Sequence, residues 1–205
     1  MTLEAYPHAI QPAAPGQPLV FLFHGTGGDE NQLVSLGREL MPRAGIVSPR
    51  GDVSEYGAAR FFRRTGEGRY DMDDLARATV RMEGFLRAHV EKAKPSQVIG
   101  LGYSNGANIL AATSFIAPDL FDIAVLMHPL IPFTPEFSAR PKTRYLITAG
   151  RHDQICPASM TTQLEEQLLA AHAPVTLFWH EGGHELRPQE LAFVAQDLAA
   201  AQTED

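Results

Sequence analysis

The chain is poor in cysteine and in clustered positive charge. It contains one cysteine, Cys156, among 205 residues, which excludes an internal disulfide and any metal site built from several cysteines. The formal net charge is -7, and no stretch concentrates lysine and arginine. Because binding phosphates requires a concentrated positive surface, we expect no nucleic-acid partner. The scarcity of cysteine fits a reducing compartment, so we expect a cytoplasmic protein.

Long hydrophobic runs are also missing. No stretch approaches the ~20 apolar residues that a membrane span requires, and the N-terminal residues lack the basic and apolar regions of a secretory signal. The composition, 44% hydrophobic and 20% charged, is typical of a globular protein. A chain of 205 residues is long enough for one sizeable core, so we expect a single domain spanning residues 1–205.

Short β-prone runs alternate along the chain with segments of helical spacing. The predicted strands cover residues 19–23, 46–48, 98–101, 123–127, 145–149 and 175–179. The predicted helices cover residues 29–41, 71–94, 107–116, 161–171 and 190–200. The proline-rich start predicts an irregular or edge-strand segment, and residues 51–68 predict a long loop. We therefore expect a mainly parallel sheet with helices on both faces and no separate cap domain, with ligands at the carboxyl ends of the strands.

One serine lies among glycines where a strand meets a helix. The segment Gly102-Tyr-Ser-Asn-Gly106 contains the pattern G-x-S-x-G in that setting. The pattern is typical of a nucleophile elbow, a strained turn that exposes the serine hydroxyl. Side chains two residues before and after Ser104 would collide with the adjoining strand and helix, which glycine avoids. The alternative is a tight glycine turn that contains an incidental serine.

A serine hydroxyl becomes a nucleophile when a base removes its proton, and the base needs an acid to orient it. In the fold that carries this elbow, the acid and then the histidine follow the serine along the chain. Asp153 comes directly after the predicted strand 145–149, and His184 follows strand 175–179. Both strand ends should converge on Ser104, which predicts a Ser-His-Asp triad.

Other acids and histidines compete for these two roles. Asp119 and Asp122 precede a predicted strand and should lie at the opposite edge of the sheet. Three histidines are poorly placed to act as the base: His172 ends a predicted helix, His128 follows the strand before the one that carries the acid, and His152 adjoins the acid itself. His180 remains the competitor of His184, which we favour because its glycine-flanked loop lets the imidazole reach back over the strand ends.

The tetrahedral intermediate of acyl transfer also needs two hydrogen-bond donors for its oxyanion. In this fold one is the backbone N–H after the nucleophile and the other comes from a loop after an earlier strand. These would be Asn105 and Thr26, the latter in the loop Phe23-His-Gly-Thr-Gly-Gly28. A glycine loop can also bind phosphate, but neither glycine turn has a nucleotide-binding pattern.

We expect no cofactor and no metal. His180, Glu181 and His184 do not follow the H-E-x-x-H spacing of a zinc protease. Cys156 lies close to the acid, where a redox-sensitive thiol is one interpretation and inert buried packing is the one we favour.

Four segments together resemble the motifs of the bacterial phospholipase/carboxylesterase family of α/β-hydrolases, which includes acyl-protein thioesterases. The segments are Phe23-His-Gly-Thr-Gly-Gly-Asp-Glu30, Gly102-Tyr-Ser-Asn-Gly-Ala-Asn108, Gly150-Arg-His-Asp-Gln-Ile-Cys-Pro157 and Gly182-Gly-His184. The resemblance implies an α/β-hydrolase fold, Ser104 as nucleophile with Asp153 and His184 as its partners, and Thr26 and Asn105 as oxyanion donors. The elbow and the segment 61–64 most resemble a carboxylesterase branch, some members of which accompany hydroquinone catabolism. The chain departs from its relatives at residue 154, where glutamine replaces a common proline.

Several loop residues are candidates for the walls of an open acyl cleft. They are Phe61, Phe62, Arg63, Leu130, Ile131, Phe133, Ile155 and Leu186. Core packing is the alternative for each apolar residue, and an ordinary surface salt bridge is the alternative for the arginine.

These observations predict a serine carboxylesterase that acts on small to medium carboxylic esters through an acyl-enzyme. Its kcat/KM should rise as the pH passes through roughly 6 to 7, where a histidine base loses its proton. The alternatives are an acyl thioesterase or lysophospholipase of the same family, and a non-catalytic receptor for small ligands. The partner expected is a small-molecule ester, and the sequence leaves a homodimer open.

Overall fold

The computed structural model describes residues 2–201, over which the chain forms eleven strands and five helices. The strands are β1 (His8–Gln11), β2 (Leu19–Phe23), β3 (Gly45–Pro49), β4 (Val53–Glu55), β5 (Ala58–Arg60), β6 (Arg64–Gly66), β7 (Arg69–Tyr70), β8 (Val98–Tyr103), β9 (Ile123–Met127), β10 (Arg144–Gly150) and β11 (Val175–His180). The helices are α1 (Val34–Leu40), α2 (Met72–Ala93), α3 (Asn105–Ile116), α4 (Ala158–Ala170) and α5 (Pro188–Ala201). The predicted domain also includes residues 1 and 202–205, which lie outside the described residues.

Seven of the described strands form one central sheet in the order β1-β3-β2-β8-β9-β10-β11. Strand β1 runs antiparallel to β3 at one edge, and every other pairing in the sheet is parallel. The proline-rich segment therefore supplies an edge strand, where a residue without an N–H is tolerated. The prediction of a mainly parallel sheet is confirmed, and the carboxyl ends of β2, β8, β10 and β11 lie at one edge of it.

Hydrophobic side chains fill both faces of the sheet. Alternate residues of β2 point to opposite faces, so that Phe21 and Phe23 belong to one apolar cluster while Val20 and Leu22 belong to the other. The first cluster contains the buried faces of α2, α3 and α4, and the second contains those of α1 and α5. Helices on both faces match the expected architecture. No helix within residues 2–201 is both long and apolar enough to cross a membrane.

Two segments differ from the sequence-based expectation. Helix α1 begins at Val34 rather than at residue 29, because side-chain contacts hold the preceding turn: the Asn31 N–H donates to the Asp29 carboxylate and the Gly25 N–H donates to Gln32 Oε1. The predicted loop over residues 51–68 contains the short hairpin β4–β5, and its end joins the hairpin β6–β7. This segment is therefore more regular than a loop.

Candidate active site

Ser104 stands at the turn between β8 and α3 in a strained backbone conformation. Its φ is +53° and its ψ is -116°, a region that residues with a side chain rarely adopt. A Cβ at Gly106 would lie 2.0 Å from the carbonyl oxygen of Phe23, and a Cβ at Gly102 would lie 2.6 Å from the carbonyl oxygen of Gly106. The two glycines thus let the turn close against β2, and the serine is held at the carboxyl edge of the sheet.

Loops after β10 and β11 bring the two predicted partners to this serine. His184 Nε2 lies 2.8 Å from Ser104 Oγ, and His184 Nδ1 lies 2.8 Å from Asp153 Oδ2. The Tyr103 hydroxyl donates to the His184 carbonyl at 2.8 Å, which fixes the loop that carries the imidazole. The structure therefore brings together the three residues that the sequence singles out as a triad.

Asp153 is held as an ionised acceptor. Its Oδ1 accepts the backbone N–H groups of Ile155 and Cys156, each at 2.8 Å, and its Oδ2 faces two imidazoles, His184 and His128. Burial by itself raises the pKa of this carboxyl, but these hydrogen bonds outweigh it and hold the pKa well below its ordinary value. The carboxylate accepts but cannot donate, so both imidazole Nδ1 atoms that face it carry a hydrogen.

The two candidate oxyanion donors border the same cleft as Ser104. The Asn105 N–H is the first of α3, where helix amides have no intrahelical partner. The Asn105 side chain accepts the Phe61 N–H at 2.9 Å, and Thr26 Oγ1 accepts a hydrogen bond from Arg60 Nη1 at 2.9 Å. The side chains of both residues are therefore tied to the segment that contains Arg60 and Phe61.

A cleft of about 450 Å³ opens beside Ser104. Its walls are formed by Thr26, Arg60, Arg64, Glu67, Gly68, Tyr70, Tyr103, Ser104, Asn105, Asn108, Leu130, Gln154, Ile155, Cys156 and His184. Leu130 and Ile155 thus lie where the sequence places them. The Tyr70 hydroxyl donates to the Leu130 carbonyl and accepts from the Asn108 amide, which links α3 to one wall of the cleft.

Two of the predicted wall residues belong to the core instead. Phe61 and Phe62 are both fully buried, and neither borders the cleft. Phe61 packs against the rings of His24 and Phe23 at centroid distances of 4.6 Å and 5.9 Å, while Phe62 packs edge-on against Tyr70 at 4.7 Å. The segment turns its phenyl rings inward, and Arg60 and Arg64 on either side form the wall.

Four further candidates also lie away from the cleft. Ile131 is buried in the core, Phe133 packs near Phe115, and Leu186 packs against the cluster on the α1 and α5 face. The Arg63 guanidinium pairs with two carboxylates at the start of α2, Asp71 at 3.2 Å and Asp74 at 3.2 Å. Its role in the structure is therefore the surface salt bridge that the sequence leaves as an alternative.

A buried polar cluster behind Asp153 was not predicted. His128 and Glu190 are both fully buried; His128 contacts the same Asp153 oxygen as His184, and Glu190 contacts His128. His180, the competitor of His184, joins this cluster rather than facing the serine. The sequence signal for this cluster is His128, which directly follows β9. Because β9 pairs with both β8 and β10, a residue at its end lies near both Ser104 and Asp153.

Comparison with known proteins identifies the family of the chain. The model of the phospholipase/carboxylesterase family matches residues 4–202. The putative hydrolase MhqD of Bacillus subtilis is 36% identical over 178 residues, which covers 84% of this chain and 88% of that protein.

Two crystal structures are similar over nearly the whole chain. The protein Atu2452 of Agrobacterium tumefaciens, of unknown function, is 56% identical with a TM-score of 0.92 and 98% coverage of each chain. The Bacillus cereus carboxylesterase is 33% identical with a TM-score of 0.89, covering 96% of this chain and 94% of that one. The chain thus has the α/β-hydrolase fold and belongs to the phospholipase/carboxylesterase family of hydrolases.

Proposed function

We propose that the protein is a serine carboxylesterase that hydrolyses small to medium carboxylic esters. The observation that carries the proposal is the continuous contact from Ser104 Oγ through both ring nitrogens of His184 to Asp153, with 2.8 Å at each step. The carboxylate requires the hydrogen on Nδ1, which leaves Nε2 of a neutral His184 free to accept the serine proton. Geometry of this kind is what general-base activation of a hydroxyl needs.

The proposed reaction has two halves. Ser104 Oγ attacks the ester carbonyl carbon while its proton passes to His184 Nε2, and the oxyanion accepts hydrogen bonds from the backbone N–H groups of Thr26 and Asn105. The C–O bond to the alcohol then breaks, and His184 returns the proton to the leaving alcohol. Water attacks the acyl-enzyme with His184 again as base, which releases the carboxylic acid and restores the serine hydroxyl.

The size of the cleft supports small to medium substrates. A volume of about 450 Å³ lies toward the lower end of the range of roughly 300 to 1,000 Å³ typical of small-ligand sites. Its walls mix charged, hydroxyl and apolar groups, with the Arg60 and Arg64 guanidiniums on one side and Leu130 and Ile155 among the others. We expect short acyl groups to be turned over faster than long ones.

The test is hydrolysis of p-nitrophenyl esters from acetate to laurate by the wild type and by Ser104→Ala. We expect wild-type turnover that falls with chain length and a loss of at least a thousandfold in the variant, with unchanged far-UV circular dichroism. Equal turnover in the variant would contradict the nucleophile assignment. Matched oxyester and thioester substrates in the same assay decide between a carboxylesterase and a thioesterase.

Covalent labelling separates an enzyme from a receptor with the same fold. A fluorophosphonate should modify Ser104 in the wild type and leave Ser104→Ala unlabelled, since only an activated serine attacks phosphorus at a useful rate. A wild-type protein that resists labelling and turns over none of the esters would favour a non-catalytic role.

A further inference from the structure

Asp153 is shared between the triad and a second histidine that the proposed reaction does not use. His128 Nδ1 lies 2.9 Å from Asp153 Oδ2, the same oxygen that faces His184 at 2.8 Å. On its other side, His128 Nε2 lies 3.3 Å from Glu190 Oε1. The fully buried imidazole is therefore placed between two carboxylates, one from the loop after β10 and one from α5.

Hydrogen-bond partners fix most of the protons in this cluster. Glu190 accepts from the Thr148 hydroxyl and from the Arg187 N–H, which is the environment of an ionised carboxylate. Burial raises the pKa of Glu190, but its hydrogen bonds with His128 and Thr148 outweigh burial and lower that pKa overall. A hydrogen on His128 Nε2 would point toward this carboxylate at 3.3 Å, whereas a bare Nε2 would accept from His180 Nε2 at 3.4 Å and turn a lone pair toward Glu190. The shorter approach to a charged acceptor favours the hydrogen.

His180 completes the cluster as a neutral ring. Its Nδ1 accepts the Gly182 N–H at 3.0 Å, so the hydrogen lies on Nε2, which is 3.5 Å from Glu190 Oε2 and 3.4 Å from His128 Nε2. Burial lowers the pKa of His180, which keeps the ring uncharged. Burial has the same effect on His128, yet its hydrogen bonds with Asp153 and Glu190 prevail and raise its pKa to about 9.

The backbone at His128 is also strained. Its φ is +53°, as at Ser104, and strained positions of this kind concentrate at functional sites. The His128 N–H donates to Thr148 O and its carbonyl accepts the Cys156 thiol, so both backbone groups are fixed from β10 and the loop after it. The imidazole thus has one position, between the two carboxylates.

We propose that His128 is a positioning residue of the esterase site: held as an imidazolium between Asp153 and Glu190, it orients Asp153 and offsets part of the negative charge that acts on His184. The titratable groups that face His128 and His184 from the packed elements are Tyr103, Asp153, Cys156, His180 and Glu190. The kinetic part of this proposal rests on the proposed function, whereas the charge state of His128 does not.

A metal ion is the rival explanation of the cluster. His128, His180 and Glu190 offer ligand atoms within 4.8 Å of one another. However, an Nε2 ligand of His180 would need its hydrogen on Nδ1, where the Gly182 N–H already donates. The hydrogen-bond pattern therefore favours protons over a metal. Zinc at one equivalent in the purified protein would overturn the imidazolium assignment.

The charge of His128 is tested directly by nitrogen NMR of histidine-labelled protein. We expect one histidine, whose signals disappear in His128→Asn, to carry hydrogens on both ring nitrogens at pH 7.5. A His128 with one protonated nitrogen at that pH would overturn the proposal. This measurement needs no substrate, so it stands even if the ester assay of Ser104→Ala contradicts the proposed function.

The kinetic test compares the acidic limb of kcat/KM in two variants. His128→Asn retains an N–H for Asp153 but removes the positive charge, so the acidic limb should move to higher pH. Glu190→Gln removes a negative charge, so the limb should move to lower pH. The His128 and His184 ring centroids are 5.2 Å apart, and a unit charge at that distance in a well-screened site predicts a shift of roughly 0.5 to 1 pH unit for His128→Asn. The shift for Glu190→Gln should be smaller, because Glu190 contacts His128 and His180 rather than His184. If the cluster were purely structural, the acidic limbs of the two variants would not move in opposite directions.

Further variants keep the test decisive. His128→Leu removes both the charge and the hydrogen bond, and we expect kcat to fall about tenfold or more at unchanged KM. If His128→Asn fails to fold, Glu190→Gln carries the comparison, since the amide still bonds with Thr148. His172→Asn, at a histidine outside the cluster with φ of +60°, is the matched control and should leave the pH profile unchanged. The positioning role would be refuted if the acidic limbs of the His128→Asn and Glu190→Gln profiles stay in place or move in the same direction. That result would leave the proposed function intact, because the Ser104→Ala assay tests the nucleophile separately.

Discussion

The tight closure of the elbow makes Gly106→Ala a severe change. Its Cβ would lie 2.0 Å from the Phe23 carbonyl oxygen and 2.6 Å from that of His24, and both contacts are with backbone of β2 and the loop after it. Neither neighbour can rotate away, so α3 must move outward by about an ångström or more for ordinary contact to be restored. Overpacking of this kind costs about 3 kcal/mol or more, which for a chain of this size lowers Tm by roughly 6 to 12 °C.

The same movement displaces Ser104 and the Asn105 N–H, which lie between the fixed strand and the displaced helix. We therefore expect kcat for p-nitrophenyl acetate to fall at least a hundredfold in the folded variant, since a shift of about 1 Å at a reacting group has that effect. Thermal unfolding and ester hydrolysis are measured on the same preparation. Gly66→Ala is the matched control, because a Cβ there meets nothing within 4 Å, and both its Tm and its kcat should stay close to wild type. A Gly106→Ala protein with wild-type Tm would refute the steric reasoning.

Three further predictions concern stability and thiol reactivity. Asp71→Ala removes the N-cap of α2, whose side chain accepts the Asp74 N–H at 3.0 Å, and should cost about 1 kcal/mol in urea unfolding, whereas Asp73→Ala should cost less. Cys156 is 1% exposed and burial raises its pKa, so Ellman's reagent should react with it only in the unfolded protein; fast reaction of the native state would contradict this. The pKa of His128 is raised to about 9, so its contribution to the free energy of unfolding is fully present below about pH 6.5 and is lost as the pH rises to about 9. This loss of stability, of order 2 to 3 kcal/mol, should be absent in His128→Asn.

The sequence predicts the central sheet and the triad because both depend on local patterns. Continuous apolar runs such as Leu19–Phe23 indicate buried strands wherever they occur, and residues directly after parallel strands must lie at one edge. Ser104, Asp153 and His184 each occupy such a position, so chain order alone brings them together. Leu130 and Ile155 line the cleft because they lie in the loops that follow β9 and β10 at the same edge of the sheet.

The cleft walls are less predictable because they depend on which way a loop turns its side chains. Phe61 and Phe62 lie in a polar segment whose spacing has no period, and only the folded chain shows that their rings face inward. The rings are buried because the Asn105 side chain accepts the Phe61 N–H and so ties this segment beneath the elbow. Arg60 is nearly buried for a related reason, since its guanidinium spans from Thr26 to the Phe62 carbonyl.

His128 shows how strand order carries information that chain order does not. Along the chain it follows β9, one strand before the acid, and it is therefore set aside as the base. In the sheet, however, β9 lies between β8 and β10, so a residue at its end lies between Ser104 and Asp153. His128 has a positive φ, and its ring contacts Asp153 Oδ2, the oxygen that also faces His184. The register of neighbouring strands, rather than any motif, determines this contact.

The electrostatics of the site follow from where the chain buries its carboxylates. Asp153 and Glu190 are both buried, and among residues 2–201 neither forms an ion pair with lysine or arginine; their partners are imidazoles. With the proposed imidazolium between two carboxylates, the resting cluster would keep a single net negative charge. In the proposed reaction, transfer of the serine proton to His184 would neutralise that charge as the oxyanion forms. On this proposal the buried groups would stabilise the transition state more than the resting enzyme. Substitutions at His128 and Glu190 should therefore change kcat and the pH dependence while KM stays constant.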